Sequence, residues 1–237
     1  MSKQLSLAVN LRDTETFDSF IVGENSHLVH RLKSLLNKTL NTKSQPWLTF
    51  VSGEHGVGKS HLLYSLCHKA QSANVTAVYL SFKEKQQYSP EVLDGLEHSQ
   101  LICLDDVDAL QDSQTWQIAV FDLLNRVKEL GISHVVACAN GGPMSLNLQL
   151  ADLASRLAWG VSFTLASLSD EGRCVALLTR AKQRGLVMPE KVAVYLVNHW
   201  QRDMPSLMNT LDKLDQLSLQ QQRKLTIPFV KEALNLN

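Results

Sequence analysis

Eight consecutive residues, Gly53-Glu54-His55-Gly56-Val57-Gly58-Lys59-Ser60, fit the spacing G-x-x-x-x-G-K-[ST] without a mismatch. Glycines so placed let successive backbone N–H groups turn inward on phosphate oxygens, and the helix that follows directly, with His61 next to the loop, adds the positive end of its dipole. In that geometry Lys59 reaches the β- and γ-phosphates and Ser60 ligates Mg²⁺. The string Leu101-Ile102-Cys103-Leu104-Asp105-Asp106 is four apolar residues ending in two carboxylates. Such a pattern suits a buried strand whose C-terminal end faces the phosphates: Asp105 holds the hydrated Mg²⁺ and Asp106 polarises an attacking water. The other reading is an Asp pair that caps the next segment. Asp108 reads as a solvated turn residue.

Asn140 closes a third apolar run, from His134 to Ala139, where it orients a lytic water or senses the γ-phosphate; a turn-forming Asn before Gly141-Gly142-Pro143 fits the same residues. Arg156, in Leu153-Ala154-Ser155-Arg156-Leu157, has two readings: pairing with local carboxylates, or presentation to a phosphate in another subunit. Arg202 lies in an all-helical stretch, as a lid contact or as a plain surface charge.

The elements that position these residues follow from periodicity. Short β-rich runs near 48–52, 75–82, 101–104, 134–139 and 161–165 alternate with helical patterns, which predicts a five-stranded parallel sheet. Leu62, Leu63, Leu66, Cys67 and Ala70 recur at helical spacing directly after the glycine-rich loop. Trp116, Val120, Leu123, Leu124, Val127 and Leu130 make a second stripe, with Ser113 as N-cap and Gly131 as the stop. After Leu165 strand signals cease, and four helices follow: from Ser169 to near Gly185, from Pro189, through Met204 to Leu217, and from Thr226 with Pro228 behind it. That shift predicts a boundary near residue 166, with an α/β subdomain over 14–166, a helical one over 167–237 and a short tail over 1–13.

Composition excludes several classes. The 237 residues are 44% hydrophobic and 19% charged, as in a globular protein. Lys plus Arg equals Asp plus Glu at 23 each, so no net field holds the chain on a nucleic-acid backbone. Cys67, Cys103, Cys138 and Cys174 lack the close pairs of a zinc site and read as buried, reduced thiols. The eight histidines suggest no metal site and read as surface or half-buried residues. No signal-peptide core and no run of 18 apolar residues occurs, so a cytoplasmic protein without a membrane span is expected.

Together these strings resemble the AAA+ ATPases, and more closely the branch of the bacterial replication initiator DnaA. The segment Thr16-Phe17-Asp18-Ser19-Phe20-Ile21-Val22-Gly23-Glu24-Asn25 resembles the part of that family that lies against adenine, which implies Phe20, Ile21 and Val22 as base contacts. The string Asp152-Leu153-Ala154-Ser155-Arg156-Leu157 is similar to the box that holds the family's arginine finger, and Arg202-Asp203-Met204 to its sensor 2 arginine motif. The fold so implied is an α/β AAA+ P-loop NTPase with a C-terminal all-helical lid.

Two departures from the initiator shape the expected function. The sequence ends at Asn237 without the family's helix-turn-helix, so no autonomous duplex-DNA binding is expected. The tail reads Gln4-Leu5-Ser6-Leu7-Ala8-Val9, similar to peptides by which bacterial proteins dock on the replication sliding clamp, although Ala8-Val9 replaces the usual larger apolar ending. The resemblance therefore implies a protein that holds ADP (or ATP) with Mg²⁺, works at the replisome or nucleoid with the DNA-loaded clamp (the polymerase β subunit), and stimulates hydrolysis of ATP bound to DnaA by offering Arg156 in trans. A homo-oligomer is the expected assembly. The competing reading is an autonomous AAA+ ATPase, a helicase loader or transposition helper, since Lys59, Ser60, Asp105 and Asp106 are all present; a small-molecule kinase has less support because the C-terminal stretch is helical.

Overall fold

The computed structural model describes residues 15–36, 46–200 and 203–235. It divides into two compact units, one built on Asn25–Ala166 with residues up to Phe17, the other on Asp18–Glu24 with Ser167–Asn237. The peptide at residues 4–9 and Arg202 lie outside the described residues.

In the first unit, β1 (Leu48–Ser52), β2 (Ala77–Ser81), β3 (Leu101–Asp105), β4 (His134–Ala139) and β5 (Val161–Thr164) form one sheet in the order β2-β3-β4-β1-β5. Every pairing is parallel, as the alternation of strand and helix patterns predicts. Right-handed crossovers then fix the layers. From β1 to β2 the chain crosses the sheet one way through α2 (Lys59–Ser72). From β3 to β4 and from β4 to β5 it moves the other way, through α3 (Gln114–Leu130) and α4 (Ala151–Leu157), so these helices cover the opposite face. Leu48, Phe50, Ile102, Leu104, Val135 and Ala137 pack there with Val120, Leu123, Leu124 and Val127 of α3 and Leu153 and Leu157 of α4. The alternate residues face α2: Cys103 of β3 lies 3.7 Å, sulfur to sulfur, from Cys67 of α2, both as free buried thiols. Between β2 and β3 the chain runs through three short 3₁₀ turns, which periodicity does not announce.

Two local features add to the sequence reading. Ser113 stands at the N-cap of α3 but makes no side-chain capping bond, while Gly131 does end the helix in the left-handed region at φ 64°. A further helix, α1 (Ser26–Ser34), goes unannounced because Asn25 ahead of it makes no side-chain cap. Asn25 instead closes a reciprocal pair with Ala166: its Nδ2 donates to the Ala166 carbonyl at 3.1 Å and its Oδ1 accepts from the Ala166 N–H at 2.8 Å.

His134 is also not a surface histidine. It begins β4 at 2% exposure, with Nε2 3.1 Å from the Thr49 hydroxyl of β1. Burial, reinforced by the nearby Arg31 guanidinium, pushes its pKa down to about 3. The ring therefore stays neutral in the folded chain while the unfolded chain takes up a proton below about pH 6.5. Folding stability falls as pH drops from 6.5 toward 3, by about 2 kcal/mol at pH 5 from this group alone. Thermal unfolding at pH 7 and pH 5 checks this: the His134→Gln variant should lose less stability over that interval than the parent chain, and an equal loss would show that His134 does not titrate as its burial requires.

The second unit packs four helices, α5 (Asp170–Gln183), α6 (Glu190–His199), α7 (Met204–Gln221) and α8 (Ile227–Ala233). Their stripes meet in a core of Leu177, Val192, Leu196, Leu207, Leu211, Leu214, Phe229 and Val230. Three N-caps are made by side chains: Ser169 accepts from the Gly172 N–H, Asp203 from Ser206 and Thr226 from Phe229. Each such cap stabilises its helix by about 1 kcal/mol. The segment Asp18–Glu24, set by sequence with the α/β subdomain, groups with this helical unit. Phe20 is buried at 8% exposure, and Gly23, at φ 51°, comes within 3.3 Å of Leu168 Cδ2 when a Cβ is placed on it.

Candidate functional site

Strand order decides where a ligand can sit. The connection after β1 leaves on the α2 face and the connection after its neighbour β4 leaves on the other, which opens a crevice at the carboxyl ends of the strands. The 53–60 loop follows β1, Asp105 ends β3 and Asn140 follows β4, so all three come to that crevice. Gly56 and Gly58 take φ 79° and 107°, conformations a side chain strongly disfavours, and Gly58 is the N-cap of α2 without a side-chain bond to its first turn. Those backbone N–H groups are the anion-binding end of the helix.

Lys59 is 7% exposed, and its ammonium donates to the carbonyls of Gly53 at 2.7 Å and Glu54 at 2.8 Å and to Oδ1 of Asn140 at 3.0 Å. Burial lowers its pKa against the opposing pull of Asp105, Asp108 and Asp106. Asn140 is held in turn by Asp108, which accepts from its backbone N–H at 3.0 Å and its Nδ2 at 2.7 Å. Asp108 is thus a half-buried acceptor that orients Asn140, and the expectation of a solvated turn residue is corrected. Asn140 itself uses its side chain toward Lys59 and Asp108, which a turn role alone does not need.

Asp105 has no exposed surface and accepts from the Tyr79 hydroxyl at 2.9 Å, from the Asp106 N–H at 2.9 Å and from the Ser60 side chain. Burial and the neighbouring Asp106 carboxylate hold its pKa above the usual range despite those donors. Tyr79 stacks on Tyr64 at 4.6 Å; burial and the Asp105 charge raise its pKa, so it remains a donor. Asp106 adopts φ 54°, a left-handed conformation uncommon for a residue with a side chain. It accepts from the Ser81 hydroxyl at 2.8 Å and forms an ion pair with Lys83. The carboxylate suited to polarise a water is therefore already engaged by a hydroxyl and an ammonium.

Tyr79, Ser81 and Lys83 escape sequence reading because no motif spacing contains them. They reach the Asp pair only through the register that sets Ser81 beside Asp105. The remaining loop residues play lesser parts. His55 and Glu54 are exposed and Val57 is partly so, while His61 binds the Thr16 carbonyl at 3.0 Å through Nε2.

Arg156 is not part of this crevice. It stands in the last turn of α4, and five residues later Val161 pairs in register with Thr49, near the start of β1. The strands' beginning and ending edges are separated by roughly 15 Å of rise. At the starting edge, the guanidinium lies 4.2 Å from the centroid of the Trp159 ring and 5.5 Å from that of Phe121. Among the described residues it pairs with no carboxylate, so the local ion-pair reading finds no partner.

A glycine-rich phosphate loop, an acidic strand end and a sheet in the order β2-β3-β4-β1-β5, with a separate helical unit, define an AAA+ module. The chain belongs to the bacterial DnaA ATPase-domain family, whose model matches residues 11–164. Residues 170–234 match the Hda lid domain, which makes this a DnaA-related AAA+ protein close to Hda.

Solved structures agree on the fold. Domain III of the Thermotoga maritima replication initiation protein DnaA superimposes with TM-score 0.81 at 19% identity, over 95% of this chain and 97% of that one. AMPPCP-bound DnaA from Aquifex aeolicus gives 0.70 at 22% identity, over 88% and 67%. The Thermotoga maritima RuvB Holliday junction branch migration motor gives 0.70 at 13%, over 94% and 72%. Among the described residues no helix is long and apolar enough to cross a membrane.

Proposed function

We propose that this chain is a negative regulator of replication initiation that carries an adenine nucleotide for structure and spends its Arg156 on the nucleotide of a partner. In this reading, ATP bound by DnaA is hydrolysed faster when the guanidinium enters from this chain, and the DNA-loaded sliding clamp, held by residues 4–9, brings the two together. Tethering of that kind raises effective concentration without a new contact at the reacting centre. The observation that carries the reading is the placement of Arg156: at the sheet edge away from its own phosphate loop, stacked on an aromatic ring and without a carboxylate partner among the described residues.

The crevice suits ADP or ATP with Mg²⁺. Hard oxygen donors from Ser60 and Asp105 lie in hydrogen-bonding contact, and three carboxylates, Asp105, Asp106 and Asp108, face two ammonium groups, Lys59 and Lys83. That donor set fits a divalent cation that keeps most of its waters and shares phosphate oxygens. When bound, the ion would neutralise charge between Asp105 and the phosphates. Lys59 would exchange its carbonyl partners for phosphate oxygens, with Asn140 as guide. Phe20, Ile21, Val22 and Arg202 remain proposed nucleotide contacts, and a homo-oligomer the proposed assembly.

Engagement of Asp106 supports a holding role over rapid turnover, and therefore disfavours the autonomous ATPase. Replacing Lys83 by Ala should free the carboxylate and raise the chain's own ATP hydrolysis by about tenfold, less than the roughly 10²- to 10⁴-fold of a fully effective general base because the Ser81 hydroxyl still holds Asp106; an unchanged or lower rate in a steady-state phosphate-release assay would show that Lys83 does not restrain Asp106. The whole proposal is tested by hydrolysis of labelled ATP preloaded on DnaA, with this chain and with clamp either absent, free or loaded on DNA. Stimulation that requires both this chain and loaded clamp is expected; none in any combination would overturn the reading.

A further inference from the structure

One of the four tryptophans of this chain stands in the turn that follows Arg156. Trp159 is 56% exposed, and two cations sit on its ring: the Arg156 guanidinium at 4.2 Å and the Lys128 ammonium of α3 at 4.1 Å from the centroid. Its backbone is held in place on both sides. The Trp159 N–H donates to the Arg156 carbonyl at 3.2 Å, one turn back. The next residue, Gly160, runs so close to β1 that an added Cβ would lie 2.5 Å from the Leu48 carbonyl oxygen, so only glycine fits. Leu153 and Leu157 anchor α4 in the core on either side. A rigid turn thus presents a ring to a long, flexible side chain whose charge no carboxylate among the described residues engages.

The geometry points to Trp159 as the positioning residue for Arg156: its ring holds the guanidinium in place over its face, ready to meet a polyphosphate carried by a second protein. This rests on the trans role of Arg156 proposed above. An arginine loses much side-chain entropy when fixed at a reacting centre, and a stacked guanidinium has lost part of it beforehand. A ring face carries no hydrogen-bond acceptor oxygen, so the attraction between cation and ring leaves the strong acceptor positions around the guanidinium open to phosphate. Phe121, 5.5 Å from the same guanidinium, bounds its sweep on the α3 side. The ring therefore constrains Arg156 without competing for phosphate, which a carboxylate in that place would do.

The test is the stimulated hydrolysis of ATP on DnaA with DNA-loaded clamp, measured for Trp159→Ala, Trp159→Phe, Lys128→Ala and Arg156→Ala. Trp159→Ala should lower the maximal stimulated rate about tenfold, with the concentration for half-maximal stimulation nearly unchanged. Trp159→Phe, which keeps a ring face, should recover to within about threefold. Lys128→Ala should leave the maximal rate within about threefold, because it removes the other cation and no contact of Arg156.

A spectroscopic reading accompanies these rates. In ¹⁵N-arginine-labelled protein, the Arg156 Nε–H resonance, assigned by its loss in Arg156→Ala, should be shifted by the ring and return toward the free-arginine position in Trp159→Ala. Full stimulation by Trp159→Ala, or an unshifted Arg156 resonance in the parent chain, would overturn the inference, as would a loss in Lys128→Ala equal to that in Trp159→Ala. If instead Arg156→Ala stimulates fully, the trans role itself fails, and that result is distinguishable from failure of the Trp159 contribution alone.

Discussion

Arg156→Ala is expected to reduce the stimulated hydrolysis of DnaA-bound ATP by about 10³ to 10⁵, the range an arginine contributes when supplied to a phosphoryl-transfer site from another chain. The size follows from what the side chain does in such a site. Charge spreads over the equatorial oxygens in the transition state, and a fixed guanidinium opposite them acts where water is excluded and screening is weak. The substitution should leave this chain otherwise whole: Leu153 and Leu157 anchor α4 in the core, and Arg156 itself is only partly covered. ADP affinity should stay within about twofold, since the phosphate loop lies at the other edge of the sheet. Arg156→Lys is expected to restore less than a tenth of the lost rate, because an ammonium is a point charge without the planar fork. Single-turnover hydrolysis of labelled ATP on DnaA, with clamp loaded on DNA, reads all three variants. Full stimulation by Arg156→Ala would remove the proposed role.

The parts of this chain that sequence discloses are those in which chemistry and periodicity are local. The 53–60 loop declares itself because its glycines, Lys59 and Ser60 act as neighbours in sequence, and β1, β3 and β4 because parallel strands buried on both faces read as apolar runs. The caps Ser169 and Thr226 are legible for the same reason: each bonds a backbone N–H three residues on. What stays hidden depends on register and long-range packing. Ser81 at the end of the neighbouring strand and Lys83 in the turn behind it meet Asp106, and Asp108 meets Asn140 across 32 residues. His134 looks like a polar residue at a strand start, and only its pairing with Thr49 on β1 reveals why it is buried. Trp159 appears in sequence as one aromatic beside a glycine, and its use becomes visible when Lys128, 31 positions earlier, arrives on the same ring.

Lys59→Ala should abolish the binding of ADP in practical terms, with affinity lower by about 100-fold or more. Charge-assisted hydrogen bonds contribute about 1.5 to 3 kcal/mol each, and Lys59 would make them to phosphate from a position already shielded from water. Its present partners show why the ligand is welcome. The ammonium is buried with a lowered pKa and satisfied by two loop carbonyls and Asn140, whereas a phosphate would supply full negative charge at the same spot. Loss of the amine leaves those acceptors without a donor but also removes a desolvated charge, so the nucleotide-free chain should change stability far less than the liganded one. Thermal unfolding separates the two. At ADP concentrations near 100 times its dissociation constant, ligand linkage stabilises the parent chain by about 2.7 kcal/mol. For a chain of this length that corresponds to about 5 to 10 °C. Lys59→Ala should shift by about 1 °C or less at the same concentration, since the ligand then stands near or below its dissociation constant, and an undiminished shift would mean that the 53–60 loop is not where the nucleotide binds. If the variant also loses stimulation of DnaA while its Arg156 remains in place, the bound nucleotide must act through the fold on the opposite edge of the sheet. Retained stimulation would instead make the phosphate loop and the arginine two independent devices on one chain.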